Sequence, residues 1–205
     1  DGVARHRVVL VEGGTGCGKT TQVPQIILEQ QEGQKKIVVA QPRRLAAVGV
    51  AGRVAEERGE AIGASVGYAV RGDVKVSATA TAVLFCTTGV LLQRLRTDPT
   101  LAQLTHVVVD EVHERSVDGD VLLSLVRRAL GVRSDLRVIL MSATMDTSKF
   151  LRYFAAFDPL LVQIPGFAYP VDLAYLDDLA VRLPGLDERH LLTGKKKRDD
   201  DKDAQ

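Results

Sequence analysis

The chain lacks most features that would place it in a specialised class. Its 205 residues include two cysteines, Cys17 and Cys86, and no tryptophan. Two distant thiols exclude a disulfide framework and are too few for a cysteine-built zinc module. No apolar run approaches the ~18 residues a membrane helix needs, and the opening residues carry no secretory signal. Charge of either sign is not in excess, with 27 Lys+Arg against 26 Asp+Glu and a net charge of +1. Bulk positive charge therefore does not hold this chain on nucleic acid, so any such site must be local. These absences suit a reducing, aqueous, intracellular setting with no membrane partner. The sequence opens at Asp1 without an initiator Met, a few residues before a strand-like run, and reads as a piece of something longer.

What the chain does have is an alternating rhythm. Apolar runs rich in Val, Ile and Leu at Val8–Glu12, Lys36–Gln41, Ala82–Thr87, Thr105–Glu111 and Leu136–Ser142 predict buried strands. Helical spacing fills Lys19–Gln31, Arg44–Arg58, Gly89–Arg96, Gly119–Leu130 and Thr147–Phe154. Strands apolar on both faces must be covered by crossover helices, so the class is α/β with a mostly parallel sheet. Ligands of such sheets bind beyond the carboxyl ends of the strands. Pro159–Leu176, interrupted by Pro165, Gly166 and Pro170, is expected to close one edge of the sheet. The domain is expected to occupy residues 1–178. Residues 179–205 read as a polar, disordered linker or insertion, because Lys195–Gln205 has almost nothing to bury. A basic contact through Lys195–Arg198 is the other reading of that tail.

Gly13-Gly14-Thr15-Gly16-Cys17-Gly18-Lys19-Thr20 satisfies G-x-x-x-x-G-K-[ST], after an apolar strand and at the start of a helix. Glycines let successive N–H groups turn inward on an anion, and the helix adds the positive end of its dipole. Lys19 would neutralise the β/γ-phosphates, and Thr20 would offer its hydroxyl to Mg²⁺. Cys17 stands beside the lysine at a helix start, where a thiol can be activated or simply passive.

A second cluster ends the run Val107-Val108-Val109 with Asp110-Glu111. Asp110 suits Mg²⁺, directly or through water, and Glu111 suits the work of orienting and deprotonating an attacking water. His113, Glu114 and Arg115 follow on the same loop.

The ordered set formed by the glycine loop, Gln41-Pro42-Arg43-Arg44-Leu45, Thr87-Thr88-Gly89, Asp110-Glu111-Val112-His113 and Ser142-Ala143-Thr144 resembles the DEAH-box RNA helicases of superfamily 2. The chain looks like their first RecA-like domain, a P-loop NTPase fold of three α/β/α layers, over about Val8–Leu176. The resemblance implies a nucleotide loop of Gly14, Thr15, Gly16, Cys17, Gly18, Lys19, Thr20 and Thr21, taking ATP or ADP with Mg²⁺. It implies Thr20, Asp110 and Glu111 at the metal, Glu111 as catalytic base, and His113, Ser142 and Thr144 linking the γ-phosphate to the partner domain. Arg53 matches an arginine that stacks on the adenine. Pro42, Arg43, Arg44, Thr87, Thr88 and Gly89 match positions on the RNA backbone, and Arg71 falls in a hairpin that also meets RNA.

The sequence departs from the family pattern at Gly14 for Glu, Cys17 for Ser, Val112 for Ala and Gly72 for a bulky aromatic. No Q-x-x-G-R-x-G-R pattern follows Thr144, so the arginines of a second RecA-like domain must come from elsewhere. The implied function is ATP-driven movement on single-stranded RNA once that domain is added, with room for an activating protein. The alternatives are a DNA helicase of the same superfamily and a non-catalytic, ATP-dependent RNA clamp.

Overall fold

Parallel strands need crossovers long enough to return along the sheet, and this sequence supplies them as amphipathic helices. The strands are β1 (Val8–Gly13), β2 (Ile37–Gln41), β3 (Val66–Val70), β4 (Asp73–Lys75), β5 (Val83–Thr87), β6 (His106–Val109), β7 (Arg137–Ser142) and β8 (Leu160–Ile164). The helices are α1 (Gly2–Arg5), α2 (Lys19–Glu29), α3 (Arg44–Glu57), α4 (Thr88–Thr97), α5 (Val117–Val132) and α6 (Ser148–Tyr153). The structure is a computed structural model and describes residues 2–30, 35–143, 147–165, 173 and 175. The chain divides into two compact units, Asp1–Phe167 and Ala168–Gln205, and the fold described is that of the first. Thr144, the expected boundary at 178 and the polar tail lie outside the described residues.

One sheet carries all eight strands in the order β4-β3-β5-β2-β6-β7-β1-β8. Among the described residues, only the β3–β4 pair is antiparallel. Strands β1 and β2 are buried along their whole length, as continuous apolar runs must be when both faces are covered. Val9, Val11, Val39, Phe85 and Ile139 pack on the side that takes Val23 and Ile27 of α2 and Ala47, Ala51 and Val54 of α3. Val8, Leu10, Val38, Val107 and Leu140 face Leu91 of α4, Leu122 and Val126 of α5 and Phe150 of α6. The result is the expected three-layer sandwich.

Strand β8 pairs with β1 at one edge, matching the edge role expected of that segment. Among the boundaries that differ, two have clear local reasons. Strand β6 stops at Val109, two residues early, because Glu111 takes a left-handed conformation at φ 53° and turns the chain off the sheet. Helix α5 starts at Val117 because the Ser116 hydroxyl oxygen accepts a hydrogen bond from the Gly119 amide and caps it. At the far edge, β3 and β4 form a hairpin whose two turn residues are Arg71 and Gly72.

Candidate functional site

The phosphate loop leaves β1 at Gly13 and enters α2 at Lys19. Gly16 and Gly18 sit at φ 82° and 85°, a region open to glycine and costly for other residues. Gly14 has no positive φ, and a Cβ added there would meet nothing within 4 Å. Two glycines thus shape the turn, while the third stands where a side chain fits. Gly18 supplies no side-chain cap to α2, so the first amides of that helix are left to the loop. Lys19 is buried and donates from Nζ to the carbonyl oxygens of Gly13 at 2.6 Å and Gly14 at 3.1 Å. The Cys17 sulfur lies 3.8 Å from the same ammonium. Thr15 and Gly16 are exposed at the loop crest.

Asp110 collects the parts of the site. Its Oδ2 accepts from the Thr20 hydroxyl at 2.7 Å and from Gln41 Nε2 at 2.7 Å, and its Oδ1 accepts from the Glu111 amide at 2.8 Å. These donors come from the phosphate-loop helix, from the end of β2 and from its own loop. Glu111 is held above the ordinary carboxylate range, chiefly by burial and then by the neighbouring Asp110 charge. A carboxylate of raised pKa binds a proton more readily than an ordinary one, which suits a general base. His113 Nδ1 lies 3.3 Å from Glu111 Oε2 and 3.3 Å from the Ala143 amide. It therefore joins the acidic loop to the end of β7, where Ser142 is buried.

The residues expected on RNA gather on the same carboxyl edge of the sheet, across β2, β5 and β3. Pro42, Arg43, Thr88 and Gly89 line one cleft together with Glu114. The Thr88 hydroxyl donates to the Gln41 carbonyl at 3.3 Å, tying the end of β5 to the end of β2. Arg43 and Arg44 are exposed, as phosphate ligands must be, and Arg43 is paired with Glu114 at 2.9 Å. Thr87 ends β5 and is half-buried. Arg71 is exposed in its hairpin turn, where Gly72 has φ 81°. A positive φ there accounts for glycine in place of an aromatic through turn chemistry alone. Arg53 is 60% exposed on α3 and pairs with Glu57 at 2.8 Å and Glu56 at 3.4 Å.

Four residues of this arrangement carried no assigned role in the sequence reading. Gln41 bridges the two halves of the site. Glu57 holds Arg53. Glu114 holds Arg43. Glu12 is buried beneath the loop, with the Thr147 hydroxyl at 3.4 Å and Gln163 Nε2 at 3.3 Å. Strand order and packing bring these partners together, except for Glu57 and Arg53, which lie one turn apart on α3. The sequence signal available was a polar residue interrupting an apolar run, as Glu12 and Gln41 do.

A family model described as DEAD/DEAH box helicase matches residues 2–151. The chain belongs to that family, and its eight-stranded sheet flanked by helices is the RecA-like α/β fold of a helicase domain. Among its relatives, it is 48% identical to the mouse "Putative ATP-dependent RNA helicase DHX57" over 181 residues, covering 86% of this chain and 13% of that protein. It is 48% identical to "DExH-box ATP-dependent RNA helicase DExH1" of Arabidopsis thaliana over 182 residues, 86% of this chain and 18% of that protein. It is 44% identical to the human "ATP-dependent DNA/RNA helicase DHX36" over 188 residues, 88% of this chain and 18% of that protein. The chain thus spans less than a fifth of the length of these relatives.

Proposed function

We propose that the chain is the ATP-binding domain of an ATP-dependent RNA helicase, hydrolysing ATP to move on or remodel RNA when a second RecA-like domain closes on it. The observation that carries this reading is the position of Asp110. One carboxylate takes hydrogen bonds from Thr20, beside the phosphate loop, and from Gln41, which leads directly into Pro42, Arg43 and Arg44. Changes at the nucleotide are thereby one residue away from the candidate RNA edge.

In this reading the loop amides of Thr15, Gly16, Cys17 and Gly18 and the start of α2 hold the phosphates, with Thr21 beside them. Lys19 exchanges its loop carbonyls for phosphate oxygens. Thr20 and Asp110 offer an adjacent hydroxyl and carboxylate, the hard oxygen donors that Mg²⁺ accepts alongside phosphate oxygens and water. Among the described residues no group of three or more His, Cys, Asp or Glu could hold a metal alone, and magnesium bound with a triphosphate does not require one. When bound, the ion would neutralise charge on the phosphates. Glu111 orients and deprotonates the attacking water, and His113, Ser142 and Thr144 relay the presence of the γ-phosphate. Arg53 presents its guanidinium plane to the base, and a plane that reads no base edges accepts any of them.

Arg43, Arg44, Thr87, Thr88, Pro42, Gly89 and Arg71 would grip phosphates and sugars without sequence preference. Affinities for matched RNA and DNA oligonucleotides test this: preference for the ribose strand is expected, and equal or reversed affinity overturns it. The DNA reading has a specific support, since one relative at 44% identity is named for both polymers.

A further inference from the structure

We infer that Glu57 is a positioning residue for nucleotide recognition: its carboxylate fixes the Arg53 guanidinium beside the phosphate loop as a platform for the base. The inference rests on the proposed role of Arg53 and adds to it the group that makes the role possible. An exposed arginine on a helix normally samples many rotamers, and holding it still costs side-chain entropy. A platform must be still before the base arrives.

Glu57 supplies that stillness because it is itself held from two helices. Its Oε1 accepts from Arg53 Nε at 2.8 Å on α3. Its Oε2 accepts from Gln22 at 3.0 Å and Gln25 at 2.9 Å, both on α2. Gln25 is buried and uses its other N–H on the Thr21 carbonyl at 3.1 Å. A continuous chain of hydrogen bonds therefore runs from Thr21, in the phosphate-binding turn, through Gln25 and Glu57 to Arg53. Helix stabilisation is a weaker reason for the pair, since an arginine placed four residues before its acid has the less favourable order. Glu56 is a weaker holder, 75% exposed and 3.4 Å from the guanidinium. Both acids meet Arg53 at its edge, which leaves the planar faces for stacking.

The test compares Mg·ATP with magnesium tripolyphosphate, which has no base, in calorimetric titrations of the 205-residue chain. Glu57→Ala is expected to weaken ATP by about fivefold and to leave tripolyphosphate unchanged, because only the base loses its prearranged platform. Glu57→Asp, which keeps the charge on a shorter arm, is expected to recover part of the loss. The double variant Arg53→Ala/Glu57→Ala is expected to bind ATP no more weakly than Arg53→Ala alone, since Glu57 acts through the arginine. If Arg53→Ala weakens ATP while Glu57→Ala does not, Glu57 is not the holder and the base platform stands. If Arg53→Ala leaves ATP binding unchanged, the reading of Arg53 falls and the inference falls with it. Equal weakening of tripolyphosphate by Glu57→Ala, or additive losses in the double variant, would overturn the inference by placing Glu57 on the phosphate loop.

Discussion

The imidazole of His113 and the amide of Ala143 meet at 3.3 Å, and the same nitrogen of the ring lies 3.3 Å from a carboxylate oxygen of Glu111. One nitrogen does not serve both at once. With a lone pair it accepts from Ala143; with a proton it pairs with Glu111. The tautomer of His113 thus decides whether the acidic loop leans on β7 or on Glu111. Replacing the ring by His113→Ala is expected to free the Ala143 amide, raising its hydrogen exchange by about tenfold while exchange within β6 stays unchanged. Exchange at Ala143 as slow as in the parent chain would show that the bond does not form in solution.

Lys19 is buried, and among the described residues its ammonium hydrogen-bonds within its own loop, to Gly13, Gly14 and the Cys17 sulfur. Lys19→Ala should therefore abolish nucleotide binding in a calorimetric titration and leave the circular dichroism spectrum and unfolding midpoint nearly where they were. Retained affinity would remove the phosphate-loop assignment.

The glycines of that loop should separate by conformation. Gly14→Ala meets nothing within 4 Å and has no positive φ to satisfy, so it should stabilise the chain by ~0.4–1 kcal/mol through the unfolded state. Gly16→Ala and Gly18→Ala, at φ 82° and 85°, should each lose about 1 kcal/mol or more. Denaturant midpoints decide the order, and a loss at Gly14 as large as at Gly16 would show that something other than φ is at work.

On the proposed reading, these 205 residues by themselves should bind nucleotide well and turn it over poorly. The arginines that stabilise the transferred phosphoryl group are worth about 10³–10⁵ in rate in related enzymes. Phosphate release by this chain alone should stay near the uncatalysed background and show no stimulation by RNA. A rate typical of an intact motor would mean that the chain carries its own stabilising arginine.

His106, at the opposite end of β6 from the acids, is buried and its pKa is pushed down to about 4, chiefly by burial and then by Lys35 and Arg137. A histidine with a folded-state pKa below its unfolded value favours folding above the unfolded value. That contribution is lost as pH falls from ~6.5 toward about 4, where the ring must charge inside the protein. Between pH 7 and 4.5 the parent chain should lose ~2 kcal/mol more stability than His106→Gln in urea titrations. Parallel pH profiles would show that His106 finds water or a partner when protonated.

Much of this was legible in the residues because the informative patterns are local. A run such as Ile37-Val38-Val39-Ala40 can only be a doubly covered strand, and the glycine loop announces its own geometry. Strand β3 was harder, since Gly67 and Ala69 dilute its apolar run. Gly67 is there because a Cβ would stand 2.4 Å from the Lys75 carbonyl oxygen, a constraint set by the hairpin partner. The bonds of Gln41 to Asp110 and of Gln25 to Glu57 span 69 and 32 residues. Nothing local in either partner names the other, because such pairs depend on which strands and helices become neighbours.

Strand β7 lies between β1, which carries the phosphate loop, and β6, which carries the acids, and is hydrogen-bonded to both. Two strand spacings of about 4.8 Å then set how far apart the two halves of the chemistry stand, as a ruler would. Its side chains alternate between the two helical layers, so a one-residue slip would carry Ser142 to the wrong face and shift both neighbours' partners together. Insertions and deletions are therefore not tolerable within β7. The length of this strand is a matter of arithmetic: it fixes the distance between the loop on one neighbour and the acids on the other.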